Sequence, residues 1–379
     1  MTQSGLLIDS HGRVLRDLRV SITDRCNFRC LYCLPETEAA ANFYRERWAP
    51  ESAHKNLIAR QWTPRSNLLS FEEIERVVRV AVGLGIQKVR LTGGEPLLRQ
   101  QIEKLVERLA TIPGISDLAL TTNGFLFGQK GKALRDAGLR RISFSLDSLD
   151  RDNFKKITGR DGLEEVLASI AQAQELGLHP VKVNAVVIRS INDHEVEALA
   201  EFGLKRGLSM RFIEFMPLDS ARAWQKELVV PGREILQRLQ ARFQLQPVVS
   251  ANRSETAQRW VFADQNGQKE SLPKGHGSTP QPARAAKSDA PCGEIGIIAP
   301  VSEPFCGHCN RLRLTADGNI RTCLFSVTEH DLRSRLRSGA TDDDLGRFLQ
   351  EVVWQKEARH HIGEPEFIAP ARSMSCIGG

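Results

Sequence analysis

No apolar run in this 379-residue chain approaches the roughly 20 residues that a membrane-spanning helix needs. The first residues, Met1-Thr-Gln-Ser-Gly-Leu-Leu-Ile-Asp9, hold no basic region followed by a long apolar core, so a secretory signal is not expected. Clustered Lys/Arg stripes are also missing. The net charge of +6, from 52 Lys and Arg against 46 Asp and Glu, is modest for the length and favours a small anionic substrate over an extended nucleic-acid surface. No GxGxxG loop follows the first β-rich run, which argues against a doubly wound dinucleotide fold. No internal repeat is found beyond an alternation of strands and helices.

What is present describes a globular protein, with 41% hydrophobic and 26% charged residues and a length that suits two to three domains, or one barrel-sized domain with an appendage. Six of the eight cysteines fall into two metal-type spacings, which fits a reducing compartment better than a disulfide framework. A cytoplasmic location is therefore expected.

The alternation is regular. Leu18–Ile22, Lys88–Thr92, Asp117–Thr121, Arg141–Leu146, Val181–Ile188 and Met210–Met216 are short and β-rich. Amphipathic stretches of helical length lie between them. One opens on the capping box Ser70-Phe-Glu-Glu73, carries Phe71, Ile74, Val77, Val78, Ala81 and Leu84 at helical spacing, and stops at Gly85. Others run over 164–176 and 195–205, the latter stopped by Gly207. Six βα units predict a parallel sheet but are too few to close an eight-stranded barrel. The expected fold is thus α/β, a partial, open (βα)6 TIM-type barrel over 1–245 with a surface insertion at 36–66. A C-terminal domain over 246–379 contains a polar stretch from Asn252 to Trp260 and a flexible-looking segment at 275–291.

The chemistry is concentrated in cysteines. Cys26-Asn-Phe-Arg-Cys30-Leu-Tyr-Cys33 gives three thiols spaced CxxxCxxC, with no cysteine and only His54 in the next thirty residues. A structural zinc wants four closed ligands. Three thiolates suit an iron–sulfur cluster whose fourth iron can bind something else. A second set, Cys306-Gly-His-Cys309-Asn-Arg311-Leu-Arg313 and then Cys323, reads CxxC(x13)C. On its own it would favour a zinc ribbon completed by His308 or Cys292, yet it again counts three, with two alternating arginines suited to an anionic or hydrogen-bonding ligand. Between the sets, Thr92-Gly-Gly-Glu-Pro96 ends a strand with paired glycines, which let a backbone approach a ligand closely or form an ordinary βα turn. Arg90 and Lys182 lie within strands, where a charge needs a phosphate or an ion-pair partner.

CxxxCxxC with Tyr32 before its last cysteine, followed one strand later by TGGEP, resembles the radical S-adenosylmethionine (SAM) superfamily. Adding CxxC(x13)C with Asn-Arg-x-Arg and the terminal Gly378-Gly379, the chain from about Arg19 onward is similar to the GTP 3′,8-cyclase family of molybdenum cofactor biosynthesis. The resemblance implies two [4Fe–4S] clusters. Cys26, Cys30 and Cys33 would hold the one that binds SAM, with Tyr32, Gly94, Ser145 and Met216 contacting SAM. Cys306, Cys309 and Cys323 would hold the one that faces the guanine, with Arg19, Arg90, Thr121, Lys182, Arg311 and Arg313 holding GTP. It further implies a 5′-deoxyadenosyl radical that takes the ribose 3′ hydrogen, attack of C3′ on C8, and a Gly378-Gly379 tail that enters the active site and is needed there. The implied partners are GTP, a downstream cyclic pyranopterin monophosphate synthase and an electron donor, with no nucleic acid and no membrane, and a homodimer is left open.

Some features depart from the family. The 36–66 and 275–291 stretches read as insertions, Leu34 stands where Met is usual, and Cys292 and Cys376 have no implied role. Two other readings compete: a peptide-modifying radical SAM enzyme with an auxiliary cluster, and a zinc-ribbon binding module on an inert barrel.

Overall fold

The period-two alternation of the β-rich runs builds the architecture. In each run one set of side chains is apolar and packs outward under helices, while the other is polar and turns inward. In the computed structural model, which describes residues 5–34, 62–218, 224–250, 253–263 and 293–378, all six expected strands form. They are β1 (Asp17–Ser21), β2 (Lys88–Thr92), β3 (Asp117–Thr122), β4 (Arg141–Ser145), β5 (Val181–Val187) and β6 (Ser209–Glu214). Leu18 and Val20 of β1, Val89 and Leu91 of β2 and Ile142 and Phe144 of β4 are buried in one continuous core.

The helices covering that core are α1 (Phe71–Gly83), α2 (Ile102–Ala110), α3 (Phe127–Asp136), α4 (Arg151–Thr158), α5 (Leu163–Glu175), α6 (Val196–Arg206) and α7 (Gly232–Arg242). The capping box is formed at α1: Ser70 Oγ accepts from the Glu73 amide (3.1 Å), and Glu73 Oε2 accepts from the Ser70 amide (2.8 Å). Gly85 follows in the left-handed region at φ 98°, and Gly207 ends α6 at φ 63°. Both stops are conformations that glycine adopts without steric cost.

Beyond residue 244 come β7 (Leu245–Val248), β8 (Gln258–Phe262), β9 (Glu294–Ile298), β10 (Arg311–Leu314), β11 (Asn319–Arg321) and β12 (His330–Asp331), then α8 (Arg333–Arg337), α9 (Asp342–Trp354) and α10 (Met374–Ile377). These strands extend both edges of the first sheet. The order is β12-β11-β10-β1-β2-β3-β4-β5-β6-β9-β8-β7, with β9 parallel to β6 and β10 parallel to β1. Eight parallel strands therefore stand side by side, and β10 and β9 do not pair, so the barrel stays open. Part of the polar stretch from 252 to 260 is the antiparallel strand β8, whose Trp260 and Phe262 are buried. Only Trp260 and Phe262 are buried and its first two residues are Gln258 and Arg259, so its composition reads as a loop. The 275–291 segment and most of 36–66 lie outside the described residues.

The C-terminal segment is tied back to the start of the chain. Arg13 is buried, pairs with Asp9 (2.6 Å), and donates to the Cys306 (2.8 Å) and Ala358 (3.0 Å) carbonyls. Helix α9 packs on α1, with Arg76 reaching Asp342 (2.7 Å), and Arg337 at the end of α8 reaches Glu73 of α1 (2.7 Å). Among the described residues, no helix is long and apolar enough to cross a membrane. Because both arms of the α1 capping box are made, Ser70→Ala should lower stability by about 1 kcal/mol, read as a lower denaturant midpoint with an unchanged slope.

Candidate active site

The inward-facing residues line one cavity of about 660 Å³. All six motif cysteines border it, as do Arg19, Arg90, Thr121, Lys182, Arg311, Arg313, Tyr32, Gly94, Ser145 and Met216. The two cysteine sets lie at opposite ends. Cys26, Cys30 and Cys33 follow β1 at the carboxyl ends of the parallel strands, while Cys309 precedes β10 and Cys323 follows the antiparallel β11, at the amino ends.

The first cysteine loop is held from two sides. The Arg29 and Leu31 amides donate to the Thr158 (2.7 Å) and Ile157 (3.0 Å) carbonyls at the end of α4, and Phe28 stacks edge-on against Phe125 and Phe154. The TGGEP turn forms the other support. The Gly94 amide donates to the Thr23 carbonyl (2.7 Å) and the Glu95 amide to the Arg25 carbonyl (2.7 Å). A Cβ on Gly94 would stand 2.2 Å from the Arg25 carbonyl oxygen, so the close approach that this glycine permits is to the chain's own cysteine loop. Glu95 is buried and accepts from Thr122 Oγ1 (2.7 Å), the Asn123 amide (2.7 Å) and the Leu97 amide (3.0 Å). Burial pushes its carboxyl up to about 7 despite these bonds. Asn123 in turn bonds Asn27 Oδ1 (2.8 Å) and faces Cys26 Sγ at 3.8 Å. Tyr32 donates to Asp147 Oδ2 (2.6 Å), whose other oxygen accepts from the Val186 amide (2.8 Å). Burial raises Asp147 to about 6. Glu95, Asn123 and Asp147 were missed by the sequence reading, although Glu95 stands inside the quoted motif and the other two close β3 and β4.

At the opposite end, Cys306 opens a single 3-10 turn over Cys306–His308, and Arg311 Nη2 lies 3.3 Å from Cys309 Sγ. Burial raises the Cys309 thiol, but Arg311 and Lys356 outweigh it and bring it down to about 6. Lys356 is itself buried and donates to the Arg311 (3.1 Å) and Thr322 carbonyls. Arg313 donates to the Gly378 carbonyl at the end of the tail. Gly378 has φ 71°, and a Cβ there would stand 2.9 Å from Thr92 Cγ2, so the position admits only glycine on both counts. Ile377 is buried, and Met216 packs beside it in the apolar group of Leu218, Phe325 and Ile362 while also bordering the cavity. Gly379 and Cys292 lie outside the described residues.

Neither set fits a single zinc ion. Zinc–thiolate bonds of about 2.3 Å would bring sulfurs within about 3.8 Å of one another. Among the described residues the only three potential ligands within 4.8 Å of each other are His361, Glu364 and Glu366, on the surface. The wider cysteine spacing suits a polynuclear cluster. The donor chemistry agrees: burial raises the Cys30 thiol, and Asp147, Cys26 and Cys33 raise it further, so three thiolates here need a cationic centre.

Between the two ends, the strand register lays charges in rows. Arg313, Arg19, Arg90, Ala119 and Arg141 stand side by side across five strands, and Arg311, Asp17, Lys88 and Asp117 form the row below. Burial lowers Arg19 to about 10, with Asp17 opposing and Arg311 and Arg90 adding to the effect. Lys182 falls to about 6 through burial and then Arg211, Arg141 and Arg90. Arg90 bonds only hydroxyls, Ser143 Oγ (3.1 Å) and Thr121 Oγ1 (3.4 Å), and Arg19 Nε and Arg211 Nε have no partner among the described residues. Among the described residues, the strand-to-helix ion pairs that could have explained Arg90 and Lys182 are not made. So many like charges in a small cavity call for an anion.

A family profile described as Radical SAM superfamily matches residues 20–203, and one described as Molybdenum Cofactor Synthesis C matches residues 268–362. Among solved structures the chain is similar to Streptococcus suis SuiB bound to S-adenosylmethionine, at 13% identity and a TM-score of 0.56, over 97% of this chain and 78% of that one. That likeness concerns the fold, and with the cysteine loop and its profile it defines a radical SAM protein. The chain is also 40% identical to GTP 3′,8-cyclase of Rhodopirellula baltica, over 100% of this chain and 94% of the relative. With GTP 3′,8-cyclase of Streptomyces coelicolor it shares 40% identity over 99% of this chain and 96% of the relative. The chain belongs to the GTP 3′,8-cyclase family.

Since Gly94 is packed on the backbone that carries Cys26, Gly94→Ala should empty the first cluster site and spare the second. Iron would fall from about eight to about four per chain in anaerobically reconstituted protein.

Proposed function

We propose that this chain converts GTP to (8S)-3′,8-cyclo-7,8-dihydroguanosine 5′-triphosphate by radical SAM chemistry, the first step of molybdenum cofactor biosynthesis. The observation that carries the reading is one cavity with a three-cysteine site at each end and a bank of under-paired cations between them. Its family and fold agree.

Cys26, Cys30 and Cys33 would hold one [4Fe–4S] cluster with SAM, and Cys306, Cys309 and Cys323 the other with substrate. The first cluster, when reduced with SAM bound, supplies a radical able to take hydrogen from an unactivated ribose carbon. The chain's own work is positioning. Tyr32, Gly94, Ser145 and Met216 border the first end, where they would hold SAM. Arg19, Arg90, Thr121, Lys182, Arg311 and Arg313 border the middle and far end, where they would hold GTP. Rigid strands fix these groups, so substrate and radical source meet at a set distance with little reorganisation. Gly378 accepts from Arg313 and orients that guanidinium, and Gly379 continues the tail. We further assign the cyclase core to 1–245 and the second-cluster unit to 246–379, the location to the cytoplasm, and the partners to an electron donor and a downstream cyclic pyranopterin monophosphate synthase.

Anaerobic incubation with GTP, SAM and a strong reductant should yield 5′-deoxyadenosine together with a cyclised GTP. Deoxyadenosine that forms without any change in GTP would sink the assignment. A second expectation concerns Lys182, which is largely neutral at pH 7 with its amine near 6. An arriving triphosphate favours the ammonium and raises that pKa, so binding takes up a proton and weakens as pH rises from 7 to 9. Calorimetry in two buffers of different ionisation heat should show this uptake, and Lys182→Met should abolish it.

A further inference from the structure

Lys356 lies just past the end of α9, is 3% exposed, and does not border the cavity that the site's other cations face. Its Nζ donates to the carbonyls of Arg311 (3.1 Å) and Thr322. Those residues stand two places after Cys309 and one place before Cys323, so the amine clasps the two cysteines' strands from outside the cavity. Carbonyl dipoles answer a full buried charge only in part, and such a charge is costly without an anion. Among the described residues no carboxylate supplies one. Glu357, next along the chain, accepts from Thr322 Oγ1 (2.7 Å) instead. Arg13 and Arg321, also buried in this region, are neutralised by Asp9 (2.6 Å) and Glu329 (2.6 Å). Lys356 is not.

The anionic groups within its reach are sulfurs. The charge of Lys356 acts on Cys323, where it favours the thiolate more than the Phe325 amide does and is opposed by Glu357, and on Cys309, where it ranks second to Arg311. Three cysteinates on an oxidised [4Fe–4S] core leave one net negative charge, and one-electron reduction makes it two. A fixed cation beside the cluster therefore favours the reduced form and raises the potential, because net charge is one of the levers that set it. Arg311 and Arg313 lie close by as well, but they open on the cavity, where a ligand can claim them. Lys356 is shut off from any ligand there, so its charge stays with the cysteines whether or not substrate is bound. Resting on the proposed function above, we infer that Lys356 is the built-in counter-ion of the second cluster, a positioning residue that acts through Cys309 and Cys323 to set that cluster's potential.

The test is an anaerobic redox titration, followed by electron paramagnetic resonance, of protein carrying both clusters: wild type, Lys356→Met, Lys356→Gln and Lys356→Arg. The signal that changes on adding SAM belongs to the first cluster, and the one that changes on adding GTP to the second. In the two neutral variants the second cluster's ratio of reduced to oxidised form at a fixed potential should fall about tenfold or more, a shift of about 59 mV for one electron. The first cluster should keep its potential, and Lys356→Arg should stay near wild type. Gln still donates to the two carbonyls, so a wild-type potential in Lys356→Gln would assign Lys356 to clasping the strands and overturn the inference. An unchanged potential in Lys356→Met, or equal shifts in both clusters, would overturn it too. Where the neutral variants shed the second cluster, iron is the readout: about four per chain in both, against about eight in Lys356→Arg, supports a counter-charge, and loss from all three variants overturns it. Wild-type protein with zinc or no metal at the second set would count against the proposed function itself, whereas wild type with both clusters and indifferent variants would remove only the role of Lys356.

Discussion

Everything at the site depends on the parallel pairing of β1 with β10. The register sets Asp17 against Arg311 and Arg19 against Arg313, joining strands almost three hundred residues apart. Because β1 leads directly into the first cysteine loop and β10 follows directly from Cys309, one ladder determines the separation of the two cysteine sets. A slip by one residue would turn Arg311 and Arg313 outward into the core that Leu312 and Leu314 occupy. Arg13 reinforces the pairing from outside the sheet, through the carbonyls of Cys306 and Ala358.

The pairing has an electrostatic cost that explains the function. Six or more cations face one another across a cavity of about 660 Å³, and burial, with mutual repulsion adding to it, holds Lys182, Arg19 and Arg211 below their ordinary pKa values. A fold tolerates such an arrangement only when the rest of the molecule over-determines it. Here a continuous apolar layer beneath eight parallel strands does so. The site is built in advance for an anion, so little has to rearrange when one binds. At the carboxyl ends, Glu95 and Asp147 do the opposite work: buried acids that accept several hydrogen bonds and lock the cysteine loop against β3 and β5.

Much of this was legible in the chain. Period-two alternation located six strands to within a residue or two, and the capping box and the stops at Gly85 and Gly207 located helix ends, because these signals are local. The cysteine spacings marked both three-thiol sets for the same reason, and all six thiols line the one cavity. Less legible were β8 and β11, short antiparallel strands one place in from the two edges of the sheet. The contribution of the C-terminal part to both edges of the first sheet was also hidden, since no local pattern records which edge a strand joins. Asn123, Asp147 and Lys356 were invisible as single polar residues, distinguished only by what they touch.

The sequence by itself determined the candidate ligands and the chemistry they allow: two sets of three thiols, a glycine pair after a strand, and cations at inward positions. Those depend on residue type and on spacing within a few residues, which covalent geometry transmits directly. Tertiary structure alone decided that the two sets share one cavity, that Gly94 serves the cysteine loop's own backbone, and that Arg313 meets the tail at Gly378. Those depend on strand order and register, which the whole core selects and which no short stretch encodes.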